Sequence, residues 1–160
     1  MAGTEAGLVA PCDLQTRASA ERRAAQLRLP LVWPDPYPPR SRAVLRAAVR
    51  AGQLGAAPAF TLAAARLAFC GGFDLEDPEV LAEAAAAAGL PLDECLRAAW
   101  DGTLDATLDA TARGLVERGA ARLPAVRVRH GLFTGEDRLA EAAAASCAAA
   151  GYGGLLAPVR

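Results

Sequence analysis

The chain has 160 residues, 53% hydrophobic and 22% charged, which suits one domain and is too apolar for intrinsic disorder. Its net charge of −1 excludes a globally basic nucleic-acid binder. Alanine supplies 41 residues, favouring helix, and all 17 basic residues are arginine, which removes lysine from any Schiff-base or phosphate-loop role.

Residues 1–18 read as a loose N-terminal segment. Its opening, MAGTEAGLVAPCDLQT, has neither the basic start nor the apolar run of a signal peptide. A helical pattern follows from Ser19 to Leu27, with Ala24 and Leu27 inward and Arg22 and Arg23 outward. The run LPLVWPDPYPPR, Leu29–Arg40, holds five prolines in twelve residues and must be extended or turning. Ser41 then caps a helix reaching Arg50 or Ala51, with Val44, Leu45, Ala48 and Val49 as its apolar face. Arg42, Arg46 and Arg50 recur every fourth residue on another face, which is expected to be solvated.

Pro58 suits the first turn of a further helix, ending near Gly71–Gly72. Asp77 and Pro78 read as N-cap and first position of a helix to Ala88, which Gly89 terminates. Another helix takes Leu92–Trp100 and breaks at Gly102. From Thr103 the sequence TLDA occurs twice, aligning Leu104 and Leu108 on one face with Leu115 continuing it. Asp101, Asp105 and Asp109 form an acidic stripe expected to face solvent, with an i,i+4 ion pair between Asp109 and Arg113. The stripe lacks the loop that converging metal ligands need.

After Leu123–Pro124 the period changes to two. In AVRVRHGLFTG, Val126 and Val128 alternate with Arg127 and Arg129, predicting a hairpin of Ala125–Arg129 and Leu132–Thr134 turned by His130–Gly131. A last helix starts around Glu136, and residues 151–160 read as a flexible tail. Cys12, Cys70, Cys95 and Cys147 make no CxxC pair, and His130 is the single histidine, so neither a zinc site nor a disulfide framework is expected. No Ser/His/Asp pattern, GxGxxG or GKS motif occurs, and no uncharged apolar stretch is long enough to span a bilayer. These readings predict free thiols in a cytoplasmic protein, with no nucleic acid or membrane partner.

In order, LPLVWPDPYPPRS, LRAAVRAG, FCGGFDLEDPEVL and LPAVRVRHGLFTGEDRL resemble the 2-hydroxychromene-2-carboxylate isomerase family. That family belongs to the DsbA-like, kappa-class glutathione transferase group of thioredoxin folds. The resemblance covers about Ser19 to Ala145. It implies an α/β, thioredoxin-like fold with a large helical insertion at residues 19–118. Residues 119–150 would then be the C-terminal thioredoxin half, comprising proline loop, hairpin and last helix. It also implies a cis peptide bond before Pro124 and glutathione as cofactor, lying along Leu123, Pro124, Gly135, Glu136 and Asp137. The backbone of Leu123 would pair with the cysteinyl unit, the free N–H groups at the start of the last helix would meet the γ-glutamyl carboxylate, Asp137 would accept from the γ-glutamyl ammonium, and Arg138 would anchor the loop by ion pairing. For Gly135–Arg138 a second reading stands beside this one, an acid-rich first turn that complements the helix dipole.

The family begins with a strand, a turn carrying a catalytic serine or cysteine, and a helix leading to a second strand. Residues 1–18 are too short to supply such a unit, which needs roughly thirty residues. The family's GVPT reads RLPA here, with Arg122 for glycine and Ala125 for threonine, and Thr134 replaces the tryptophan before Gly135. The expectation is therefore a predominantly α-helical chain with one hairpin, lacking the N-terminal βαβ unit. It would be a partial member of a glutathione-dependent isomerase or thiol–disulfide oxidoreductase family acting on aromatic-degradation intermediates or thiols. It would be inactive by itself, and no catalytic residue can be nominated. The alternative is a non-catalytic module that associates, as a homodimer or with residues Gly7–Ala10, through the exposed edge of Ala125–Arg129.

Overall fold

The computed structural model describes residues 14–150, which form seven α-helices and one antiparallel hairpin. They divide into two units, residues 14–109 and residues 110–150. Cys12 and residues Gly7–Ala10 lie outside the described range, as do residues 151–160.

In the first unit, α1 spans Leu14–Gln26, five residues ahead of the expected start at Ser19. Contacts remote in sequence account for the extra turn. The Arg17 guanidinium lies 4.7 Å from the centre of the Trp33 ring and 5.4 Å from that of Tyr37. Trp33 Nε1 donates to Glu21 at 2.8 Å. The proline run between α1 and the next helix, α2 (Arg42–Gln53), contains cis bonds at Asp35–Pro36 and Tyr37–Pro38. It is tied down by Val32 N–H donating to the Phe69 carbonyl at 2.8 Å.

The expected local signals hold at Pro58, Gly72 and Asp77, whereas Ser41, expected to cap the helix before them, makes no side-chain capping hydrogen bond. Pro58 lies in the first turn of α3 (Ala57–Gly71), and Gly72 ends it with φ of +74°, a left-handed value glycine adopts freely. Asp77 caps α4 (Pro78–Ala87) by accepting from Glu79 N–H at 2.8 Å. After α5 (Leu92–Ala99) a 3-10 turn at Gly102–Leu104 leads into α6 (Asp105–Glu117). The core lies among α2 (Arg42–Gln53), α3, α4 and α5. Phe60, Leu81 and Cys95 are its largest fully buried side chains, and Ala47, Ala51, Ala68, Ala84 and Ala85 fill the rest.

The buried face of α2 differs from the expected one. It consists of Ala43, Val44, Ala47 and Ala51, whereas Leu45 is exposed. The helix is rotated toward its arginines, so these flank the core instead of opposing it. That rotation also corrects the two stripes expected to be solvated, since arginines of one meet carboxylates of the other. Arg42 meets Asp109 at 3.3 Å. Arg46 holds both oxygens of Asp105 at 2.7 and 2.8 Å and donates to the Ala99 carbonyl. Arg50 places Nε and Nη2 on Glu94 at 3.0 and 2.5 Å. The expected Asp109–Arg113 pair is not formed, because Asp109 turns to Arg42.

The Arg46 guanidinium holds the Asp105 carboxyl below its ordinary value. A carboxylate depressed in the folded state contributes stability that is present above its unfolded value, near 3.8, and lost as pH falls through the folded one. Melting temperature should therefore drop as pH falls below about 4. Asp105→Asn should melt lower at pH 7 yet show a shallower acid slope. An unchanged slope in the variant would remove this ion pair from the account of acid sensitivity.

In the second unit, β1 (Ala125–Val128) pairs with β2 (Gly131–Thr134), Val126 opposite Phe133 and Val128 opposite Gly131. The expected hairpin is present, but its turn lies one residue earlier, at Arg129–His130. Arg129 takes the positive φ, +52°, that glycine was expected to supply. Its Nη2 donates to the Ala149 carbonyl at 2.9 Å, so the turn residue is held by the end of the last helix. That helix opens as a 3-10 turn, Glu136–Arg138, and continues as α7 (Leu139–Ala149), which packs on both strands and buries Ala142. No helix among the described residues is long and apolar enough to cross a membrane.

Candidate functional site

The five positions singled out from sequence come together at the open end of the hairpin. The Leu123–Pro124 bond is cis, as the resemblance implied. Gly135 N–H donates to the Pro124 carbonyl at 2.9 Å, extending the hairpin ladder by one pair. This sets the proline loop beside the turn that starts α7. Gly135 itself has φ +92° and ψ 158°, a region in which only glycine is comfortable. It bends the chain out of β2, and Arg138 N–H then closes the 3-10 turn on the Gly135 carbonyl at 3.2 Å.

Around this junction the side chains are exposed. Leu123 is 61% exposed, and among the described residues neither its N–H nor its carbonyl has a hydrogen-bond partner. Glu136 and Asp137 follow Gly135 in the turn. Arg138 pairs with Glu141, one turn on in the same helix, at 2.6 Å and lies 5.5 Å over the Phe133 ring. Asp137 Oδ1 accepts from Arg122 Nη2 at 3.4 Å, and the same nitrogen reaches the Thr134 carbonyl at 3.5 Å. Sequence reasoning had noted Arg122 only as a replacement for glycine. Its position two residues before Pro124 was the available signal, since that places it at the mouth of the proline loop.

No thiol of the described residues presents itself as a nucleophile at this loop. Cys95 is buried in α5, and burial pushes its thiol up from the ordinary value. Cys70 and Cys147 are free thiols on α3 and α7. Among the described residues no group of His, Cys, Asp and Glu is arranged to hold a metal ion. The first unit contains a cleft of about 420 Å³ lined by Arg50, Glu94, Arg97, Asp101 and Leu104 among others. Arg50 and Glu94 are bound to each other there, and Asp101 caps Thr103 at 2.9 Å.

A helix-rich chain with an antiparallel hairpin, a cis proline before it and a closing helix against it has the layout of a DsbA-like thioredoxin fold. The fold is similar to the solved structure of a 2-hydroxychromene-2-carboxylate isomerase, with a TM-score of 0.66 at 18% sequence identity. The match covers 79% of this chain and 62% of that one, so the chain spans less than two-thirds of that enzyme's length. The sequence matches no family model and no curated protein.

Proposed function

We propose that the Leu123–Pro124 loop and the Gly135–Arg138 turn form the peptide-holding half of a glutathione-linked site. The protein would be of glutathione-dependent isomerase or thiol–disulfide oxidoreductase type. The observation that carries this reading is the unpartnered backbone of Leu123, held next to the turn by the Gly135–Pro124 hydrogen bond. An extended peptide can add to such an edge by main-chain hydrogen bonds, and the cysteinyl unit of glutathione has the N–H and carbonyl required. Asp137 offers a carboxylate to the γ-glutamyl ammonium. Bound glutathione supplies the thiol. Lowering its pKa needs a donor near the sulfur, and no described residue stands ready as one. Catalysis on aromatic-degradation intermediates or on thiols would therefore require a serine or cysteine beyond this half-site.

A second reading, a non-catalytic module, draws support from the sheet. In this register the backbone groups of Ala125 and Arg127 point away from β2, and among the described residues no strand pairs with that edge, which a second copy could do. One pair of measurements separates the two. Calorimetric titration with millimolar glutathione should give saturable binding, weakened about fivefold or more by Asp137→Ala, since a charge-assisted hydrogen bond is lost. No heat, together with a concentration-dependent dimer in light scattering, would overturn the first reading in favour of the second.

A further inference from the structure

The Arg122 side chain is placed for a role that the glutathione reading does not assign. Its guanidinium lies over Gly135: a Cβ at that glycine would come 3.0 Å from Nη2 and 3.1 Å from Cζ. It therefore sits at the lip of the Leu123–Pro124 loop, one residue from the open backbone. Its two acceptors, Asp137 Oδ1 at 3.4 Å and the Thr134 carbonyl at 3.5 Å, are at the outer limit of hydrogen bonding and share one nitrogen. Nε and Nη1 have no partner among the described residues. The Arg122 and Asp137 side chains are 63% and 65% exposed. An exposed pair joined through a single long contact is easily opened, whereas arginine bound to a carboxylate through two parallel bonds is held firmly.

A cation and an anion side by side, loosely joined and both open to solvent, match the two charges of an α-amino acid, whose carboxylate and ammonium share one carbon. We infer that Arg122 is a specificity-determining residue of this site, taking the α-carboxylate of a γ-glutamyl end while Asp137 takes the ammonium. In this structure the two residues partner each other. On binding, the ligand exchanges both contacts at once, so no charge is left without a counterpart. This rests on the glutathione reading of the same loop and names the end of the peptide that the site selects.

The test compares three peptides on the unaltered protein, Arg122→Ala and Arg122→Lys by calorimetry. They are glutathione, its 4-aminobutyryl analogue lacking the α-carboxylate, and its C-terminal glycinamide. The unaltered protein should bind the 4-aminobutyryl analogue about tenfold more weakly than glutathione, and the glycinamide about as well. Arg122→Ala should bind glutathione about tenfold more weakly and no longer separate it from the 4-aminobutyryl analogue, with Arg122→Lys between the two. Melting temperatures of both variants should stay close to that of the unaltered protein, because the residue is exposed. The inference is overturned if Arg122→Ala binds glutathione as well as the unaltered protein does or still separates the two peptides. It is equally overturned if the variant loses discrimination against the glycinamide instead. Failure of the unaltered protein to bind any of the three removes the glutathione reading itself. Equal glutathione binding by unaltered and variant proteins leaves that reading standing and sinks this inference alone.

Discussion

Phe60→Ala is expected to destabilise the helical unit by about 3–5 kcal/mol, a large fraction of the roughly 5–15 kcal/mol that holds a typical domain together. Phe60 is fully buried, and among the described residues Leu81 and Cys95 are the other large side chains buried as completely. The rest of the interior is mostly alanine on α2, α3 and α4. When a core phenylalanine is truncated, nearby leucines and methionines usually swing into part of the space. Alanine has no side-chain torsion with which to do so, and helices already in contact can approach little further. The cavity should persist, which places the loss toward the upper end of the range. Urea unfolding followed by circular dichroism reads this directly. A loss below about 1 kcal/mol would mean that the helices can close over the vacated space.

Gly135→Ala is expected to strike stability and the candidate site together. The backbone conformation at Gly135, φ +92° and ψ 158°, costs a side-chain-bearing residue about 1–3 kcal/mol. The added Cβ would also lie 2.6 Å from Asp137 Oδ1 and 3.0 Å from Arg122 Nη2, so both side chains must move. Melting temperature and glutathione affinity should fall in the same variant. Gly55→Ala provides the contrast, because Gly55 also has positive φ, +74°, yet nothing lies within 4 Å of its would-be Cβ. That variant should melt lower while binding glutathione normally. A Gly135→Ala protein with full affinity would show that Asp137 and Arg122 are not the binding groups.

Much of the helical framework was legible because its signals are local. Pro58, Gly72, Asp77 and Pro78 act on the backbone within one turn of themselves, and each marks the boundary it should. What escaped is decided across space. The start of α1 depends on Arg17 and Glu21 meeting Trp33, which follows in the proline run. Of the face expected for α2, Val44 is buried and Leu45 is exposed; Ala43, Ala47 and Ala51 turn inward instead, permitting closer helix contact and bringing Arg46 onto Asp105. Two stripes that each look solvent-facing alone thus meet through Arg42–Asp109 and Arg46–Asp105, while Arg50 takes Glu94 and Asp101 caps Thr103. At the hairpin, glycine was given the turn on conformational grounds, while Arg129 accepts positive φ and is held by a carbonyl at the end of α7.

The candidate site follows the same division. Leu123, Pro124, Gly135, Glu136 and Asp137 could be picked out by pattern, and the ladder hydrogen bond between Pro124 and Gly135 gathers them. Arg122 could not be given a role from sequence, because its relation to Asp137, fifteen residues away, exists only once the hairpin has folded back.

The alanine interior has a thermodynamic consequence of its own. A buried leucine or methionine gives up rotamer freedom on folding, whereas alanine gives up none. The helical unit therefore gains less from each side chain it removes from water but surrenders less disorder in doing so. Its balance rests on backbone close approach, with dispersion between neighbouring helices standing in for interlocked side chains. Such an interior has little slack for growth. An added methylene at Ala47 or Ala84 has no rotamer into which to retreat and must push two helices apart.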